Sequence, residues 1–142
     1  MTSADDRPAS PSILLLTAAR RVESELGAAL NPLGLTLSRF GLLGHISGVP
    51  GVSFSDLARM SGTTVQSVHT AVKALVAAGL VRDGTARPGA ASTIELTEDG
   101  RRLLRTAMDT VSEVDERLFG PDADPVLHRV GRTMVEAFLQ SR

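Results

Sequence analysis

The residues between Thr63 and Lys73 combine side chains that could read a nucleic acid. Gln66, Ser67 and Thr70 offer one amide and two hydroxyls, and Lys73 adds a positive charge. Placed on a helix, these four side chains share the arc opposite the apolar ones. Short side chains let a helix approach the major groove, and amides and hydroxyls can match the edges of base pairs. This face is therefore expected to contact double-stranded DNA, with Lys73 on a phosphate.

The alternative is an ordinary solvated helix face. Such faces usually carry several Glu and Lys side chains, whereas this one has a single lysine and no carboxylate, which suits an anionic partner. The candidate DNA-contacting residues in and around this helix are Ser53, Thr63, Thr64, Gln66, Ser67, His69, Thr70, Lys73 and Arg87.

Two of these candidates have a structural role open to them. His69 lies on the flank of the apolar arc, so it either packs at the edge of the core or touches a base or phosphate. Gln66 follows Thr63 by three residues, the spacing at which a hydroxyl caps the start of a helix and the third residue reaches back. Thr70 and Ser67 are therefore the better candidates for base contacts.

Six helices are predicted along the chain, and the fourth of them contains this segment. Their boundaries follow from capping residues, from glycine and proline, and from apolar side chains that recur every three or four residues. The helices run from Ser10-Pro11 up to Asn31-Pro32, from Ser38 to Ser47, from about Phe54 to Met60, from Thr63 to Ala78, from Thr97 up to Gly120-Pro121, and from Asp124-Pro125 onward.

The third and fourth of these helices form a helix-turn-helix candidate. Ser53 and Asp56 have the capping spacing at the start of the third helix, and Ser61-Gly62 makes the turn. The side chains of the fourth helix that are predicted to face the core are Val65, Val68, Val72, Leu75 and Val76.

A β-hairpin is predicted between the fourth and fifth helices. Leu80–Arg82 is short and extended, and Thr93–Thr97 alternates apolar and polar residues. Arg87 is the only charged residue between Asp83 and Glu95. A lone arginine on a hairpin tip suits insertion into a narrow minor groove, although many exposed arginines are simply solvated.

Composition limits the classes of function. The 142 residues include no cysteine, which excludes disulfides, thiolate metal sites and cysteine nucleophiles. The formal charge is −1, but residues 51–90 hold four basic and two acidic groups, a local balance of +2. The apolar run Ile13–Leu16 is far too short to span a bilayer, and no signal peptide is recognised, so a cytoplasmic protein is expected.

No catalytic or metal-binding constellation is recognised. His45, His69 and His128 are dispersed, no glycine-rich phosphate loop follows a strand, and no Gly-x-Ser-x-Gly elbow occurs. A protein without enzymatic activity, metal or cofactor is expected.

The order of these elements resembles the MarR family, the multiple-antibiotic-resistance-type regulators, over about residues 12–140. The most specific segments are Ser55-Asp56-Leu57-Ala58, Val72 to Val81, and Leu96-Thr97-Glu98-Asp99-Gly100. The resemblance implies a mainly α-helical winged helix-turn-helix fold, in which a three-helix core and a β-hairpin wing are joined to terminal dimerisation helices. It assigns residues 11–142 to one domain, with the winged core at 35–100 and dimerisation helices at 11–34 and 101–142. Residues 1–10, which include Asp5, Asp6, Arg7 and Pro8, are expected from their composition to form a disordered tail.

The resemblance also implies a homodimer that regulates a nearby promoter through a pseudo-palindromic operator, with repression the expected sign. In such proteins a small lipophilic or phenolic effector often relieves regulation. Here it would bind where the first, second and fifth helices meet, near Arg20 or Arg21, Phe40 and His45. The residues leave other roles open, since either arginine could pair with Glu23 or Glu25, and His45 could be a satisfied, partly buried histidine.

The amino-acid pattern independently favours a dimer. The first, fifth and sixth helices carry more apolar surface than a winged core of about 65 residues can cover, and a two-fold dimer is the usual solution. The alternative is that these helices pack only on one another within a monomer.

The resemblance departs from the family in the wing. Members usually carry an Asp-x-Arg arrangement and several basic residues there, whereas residues 83–91 are short of charge, and Arg87 matches only loosely. Fewer phosphate contacts predict lower affinity and a weaker dependence on salt. Two alternatives therefore accompany the regulator: a winged protein-interaction module, and a ligand-binding protein with weak or no DNA binding.

Overall fold

A computed structural model describes residues 9–84 and 93–142 of the chain. Its elements are α1 (Pro11–Leu30), α2 (Leu37–Gly48), α3 (Phe54–Ser61), α4 (Val65–Ala77), β1 (Val81–Asp83), β2 (Ile94–Leu96), α5 (Glu98–Phe119) and α6 (Pro125–Gln140), with a short 3-10 helix at Asn31–Leu33. The six predicted helices are confirmed, with ends that differ by one or two residues. Among the helices of these described residues, none is long and apolar enough to cross a membrane.

Side chains at the helix starts explain most of the boundaries. Ser10, Ser53 and Thr97 each accept a hydrogen bond from a backbone N–H three residues later, as predicted. These bonds satisfy amides that have no partner within the helix. Glu98 and Asp99 lie in the first turn of α5, where their negative charge complements the helix dipole.

The predicted cap of α4 is wrong by one residue. Thr64, not Thr63, precedes the helix in an extended conformation, and its hydroxyl accepts from the N–H of Ser67. Thr63 belongs to the turn, where its own N–H donates to the Ala58 carbonyl oxygen. Gln66 therefore has no capping role.

β1 and β2 form a two-stranded antiparallel sheet in the register Val81 to Leu96 and Asp83 to Ile94. Val81, Ile94 and Leu96 are buried, and Arg82 and Glu95 face outward as a cross-strand pair. The predicted hairpin stem is thus confirmed. Arg87 lies outside the described residues, so its prediction stays untested.

The core lies where α2, α3 and α4 pack on the sheet stem and on the first half of α5. Among its fully buried side chains are Leu30, Leu43, Leu57, Val68, Val72 and Leu75. The predicted apolar arc of α4 is too wide, because Val65 and Val76 are each 40% exposed. Val68, Val72 and Leu75 are the buried side chains of this helix, and Ala71 packs beside them against the core.

Candidate nucleic-acid interface

The start of α4 is the most exposed part of the helix-turn-helix. α3 ends at Gly62, which has φ of 64°, a conformation that glycine adopts without steric cost. From Ser61 to Ser67 every residue is exposed, including the turn and the first helical residues. The predicted contacts Thr63, Thr64, Gln66, Ser67, Thr70 and Lys73 are all solvent-accessible, so a partner can reach them.

Hydroxyl groups at this end are ordered by local hydrogen bonds. The Thr64 hydroxyl donates to Ser67 Oγ at 2.9 Å, and the Thr70 hydroxyl donates to the Gln66 carbonyl oxygen at 3.1 Å. Because each hydroxyl has one proton and two lone pairs, Ser67 keeps its proton to donate and Thr70 keeps lone pairs to accept. The surface can therefore offer both a donor and an acceptor to a base edge.

A hollow of about 470 Å³ opens beside this face, between α3, α4 and the end of β1. Four predicted residues line it together: Gln66, His69, Thr70 and Lys73. Phe54 and Asp83 also line the hollow and were missed in the sequence. Only the angle between α3 and α4 brings Phe54 there, and no local pattern encodes that angle.

His69 stacks on Phe54, which itself packs against the edge of the buried core. The two rings are stacked with centroids 3.8 Å apart and planes 17° apart, and His69 itself is exposed. This stack fixes the imidazole on the flank of α4 while leaving it open to solvent. Both roles predicted as alternatives, packing and contact with a partner, are thus sterically open to the same side chain.

The charges around α4 favour an anionic partner. Lys73 is the only Lys, Arg, Asp or Glu between Val65 and Ala77, and it is exposed. Arg59 on α3 is held by Asp56 at 2.7 Å, and Arg82 lies 4.0 Å from Glu95. Lys73 is thus the charge that α4 itself offers to a phosphate.

Ser53, which was also predicted to contact DNA, caps the start of α3. Its hydroxyl accepts from the N–H of Asp56 at 3.0 Å, and hydrogen bonds from Ser53 to the carboxylate hold the pKa of Asp56 below its usual range, with a further contribution from Arg59. The predicted capping box is therefore confirmed. Ser53 fixes the start of α3 and through it the orientation of the helix-turn-helix.

Replacing Ser53 by alanine is expected to raise the pKa of Asp56 towards its ordinary value, because the strongest stabiliser of the carboxylate is removed. A depressed folded-state pKa stabilises the fold above the unfolded-state value and loses that effect as pH falls through the folded value. The Ser53-dependent stability should therefore fade in acid. Carboxyl NMR titration measures the pKa of Asp56 in the variant and in the wild-type chain. An unchanged pKa in Ser53→Ala would contradict this assignment.

The residues predicted to bind an effector do not share one described cavity. Arg20 and Arg21 are exposed on α1, and Arg21 lines a hollow of about 230 Å³ with Leu14, Leu118 and Leu127. Phe40 packs against the core, and His45 is half-buried near the end of α2. Glu25 pairs with Arg117 of α5 at 2.9 Å. The effector site therefore stays a prediction.

No group of three or more His, Asp or Glu side chains in residues 9–84 and 93–142 could hold a metal ion.

Most of the exposed large hydrophobic residues of the described part lie on the first helix and the last two helices. Of the fifteen exposed large hydrophobic residues in the described part, eleven are on α1, α5 and α6. We call this the terminal apolar face; its members are Ile13, Leu14, Leu15, Leu16, Met108, Val126, Val130, Met134, Val135, Phe138 and Leu139. Four of them, Ile13–Leu16, are consecutive, so this turn of α1 is apolar on every side. Such a turn needs cover from more than one direction.

Comparison with known proteins places the chain among DNA-binding regulators. A model of the MarR family matches residues 33–89. The HTH-type transcriptional repressor Rv2887 of Mycobacterium tuberculosis is 37% identical over 119 residues, which cover 83% of this chain and 84% of the repressor. Two structures of the M. tuberculosis MarR family protein Rv2887 share the fold. Its complex with DNA has a TM-score of 0.75 at 31% identity and covers 92% of this chain and 98% of that one. Its complex with salicylic acid has a TM-score of 0.70 at 32% identity, covering 95% and 99%.

Proposed function

Because the chain belongs to the MarR family, we propose that it is a cytoplasmic, homodimeric regulator of transcription that binds double-stranded DNA sequence-specifically through α4. The observation that carries the proposal is the exposed face of α4 and the turn before it, which has hydroxyls, an amide and one lysine but no carboxylate. A helix with this face suits the major groove, because short polar side chains can reach base edges and the helix itself carries no negative charge that would repel the phosphates. The relative Rv2887 is a repressor, which favours repression as the sign.

Individual residues then have distinct roles. Ser67 donates to an acceptor on a base, such as guanine O6 or thymine O4, and Thr70 accepts from an amino group of adenine or cytosine. Gln66 reaches a base edge or the backbone from the same exposed turn. Lys73 neutralises a phosphate, and Thr63 and Thr64 contact the DNA backbone at the start of the helix. His69 lies beside them, held by Phe54.

A homodimer is supported by the terminal apolar face. A monomer would leave eleven large hydrophobic side chains on α1, α5 and α6 in water, and burying them against a second copy removes that cost. Two winged domains related by a two-fold axis require an operator with two-fold symmetry, in which half-sites lie about one helical turn apart. The operator is therefore pseudo-palindromic.

A small aromatic acid as effector is supported by the salicylic acid complex of Rv2887. Arg20 or Arg21 would supply the cation for its carboxylate, with Phe40 as an apolar wall and His45 as a hydrogen-bonding group. No catalytic step is required by this function, and the protein acts by binding alone.

Replacing Lys73 by glutamine tests the DNA-binding face through salt dependence. Each lost phosphate contact lowers the slope of log K against log salt by about 0.9, so a dimer that loses two should have a slope about 2 units shallower. Fluorescence anisotropy with the chain's own upstream DNA, at several salt concentrations, measures the slope. Thr70→Ala should instead reduce the preference for the operator over random DNA and leave the slope unchanged.

Arg39→Gln is the control, since it removes an exposed positive charge that lies on α2 and not on α4. If the wild-type chain bound no DNA, or if Lys73→Gln and Thr70→Ala bound like the wild type, recognition through α4 would be refuted. A protein-interaction or ligand-binding role would then be favoured, and a rise in melting temperature with salicylate but no DNA complex would point to the latter.

A further inference from the structure

The end of α4 and the start of α5 are tied together through Thr97. Its hydroxyl donates to the Gly79 carbonyl oxygen at 2.6 Å, and its N–H donates to the Leu80 carbonyl oxygen at 3.0 Å. The same hydroxyl oxygen accepts from the N–H of Gly100 at 3.1 Å. One side chain therefore both caps α5 and holds the segment that leaves α4. We call residues 79–80 and 97–100 the α4–α5 joint.

Backbone packing makes this joint tight. A Cβ built on Gly100 would lie 2.0 Å from the Leu80 carbonyl oxygen, so the two backbones approach more closely than any side chain would allow. Gly79 has φ of 75°, which lets the chain turn sharply out of α4. The joint is thus formed by backbone contact on one side and hydrogen bonds on the other.

The geometry of the joint bears on the DNA-binding surface because the two lie at opposite ends of α4. The 13 residues of α4 span about 20 Å, with the joint near one end and the exposed residues Ser61–Ser67, the DNA-reading turn, at the other. A change of about 10° at the joint moves the far end by about 3.5 Å. That distance is about the rise of one base pair, 3.4 Å per strand.

We propose that the α4–α5 joint fixes the direction of α4 relative to α5, with Thr97 as the positioning residue, and so makes the dimer discriminate between half-site spacings. The proposal rests on the proposed function, because α5 belongs to the dimer-forming part and α4 to the DNA-reading part. Other caps do not share this role: Thr36 accepts from the N–H of Arg39 within its own helix. Thr97 differs because its hydroxyl also donates to the Gly79 carbonyl oxygen, which lies outside α5.

The first test measures the direction of α4 without DNA. The chain has no cysteine, so Gln66→Cys and Asp109→Cys supply the only sites for spin labels, one on α4 and one on α5. Labelled chain diluted in unlabelled chain reports the intrachain distance by pulsed electron paramagnetic resonance. Thr97→Val removes both hydroxyl bonds at nearly constant volume and should broaden the distance distribution by about 3 Å. Thr97→Ser, which keeps the hydroxyl, and Thr36→Val, which removes only a cap, should keep the narrow distribution.

The second test uses DNA selected from random sequence by the wild-type chain, in its native spacing and with one base pair inserted between the half-sites. The affinity for the native spacing divided by the affinity for the lengthened spacing should fall about fivefold in Thr97→Val. One neutral hydrogen bond corresponds to a factor of about this size. Affinity for an isolated half-site should stay unchanged, because the α4 surface is intact. Thr97→Ser should restore the wild-type ratio.

The outcomes separate this proposal from the function on which it rests. Failure of the wild-type chain to select any sequence would refute the proposed function, while the joint would still be judged by the spin-label distances. Thr97→Val could leave the distance distribution unchanged and lower the melting temperature no more than Thr36→Val does. That result would refute the claim that the joint fixes the direction of α4, and Thr97 would be only a helix cap. A broader distribution with an unchanged spacing ratio would overturn its link to spacing.

Discussion

A chain in which Leu15 and Phe138 are both replaced by aspartate is expected to be monomeric and to bind its operator at least about 100-fold more weakly. These side chains are 66% and 59% exposed on α1 and α6, within the terminal apolar face. A carboxylate buried there in a dimer would cost several kcal/mol, so the two copies should separate. A monomer contacts only one half-site at a time, so it loses the high effective concentration at which the second α4 of a dimer meets the other half-site.

Sedimentation equilibrium and operator anisotropy measure the two effects on the same sample. Val49→Asp is the matched control, because Val49 is a 40% exposed hydrophobic residue between α2 and α3, outside the terminal apolar face. It should leave the mass and the affinity unchanged. A double variant that remained a dimer with normal affinity would place the dimer contact elsewhere, and the terminal apolar face would need another explanation.

The helices could be predicted because their start and stop signals are local. A Ser, Thr or Asp hydrogen-bonds an amide two or three residues away, so Ser10, Ser53 and Thr97 are visible in the sequence itself. The cap of α4 was mistaken because Thr63 and Thr64 are adjacent and each is followed three residues later by a polar side chain. The backbone conformation decides between them, and it depends on how α3 ends at Gly62.

The parts of the interface that the sequence did not predict are those set by angles between elements. Periodicity assigned Val65 and Val76 to the core, but each lies at the margin of the apolar arc and is 40% exposed. Phe54 meets His69 only because α3 and α4 cross as they do, and Thr97 meets Gly79 across 18 residues of chain. Excess apolar surface, by contrast, follows from counting side chains, which is why the terminal apolar face could be anticipated.

Replacing Gly100 by alanine is expected to lower the free energy of unfolding by about 1 kcal/mol. The added methyl group would meet the Leu80 carbonyl oxygen at 2.0 Å and the carbonyl carbon at 3.0 Å, so backbone must move to admit it. Overpacking of this kind costs about 1–3 kcal/mol, and here the obstacle is main chain rather than a flexible side chain. The higher helix propensity of alanine offsets up to about 1 kcal/mol of this cost, so a net destabilisation shows that the clash is the larger effect.

Gly44→Ala isolates that propensity, because Gly44 is exposed within α2 and its added methyl group meets nothing within 4 Å. Urea denaturation at a fixed protein concentration should show Gly44→Ala stabilised by up to about 1 kcal/mol and Gly100→Ala destabilised. Since the clash lies between the segment leaving α4 and the first turn of α5, Gly100→Ala should also weaken operator binding, although Gly100 is buried and far in sequence from the DNA-reading turn. Gly100→Ala with wild-type stability would mean that the first turn of α5 can slide past Leu80, and a joint that slides could not hold α4 in one direction.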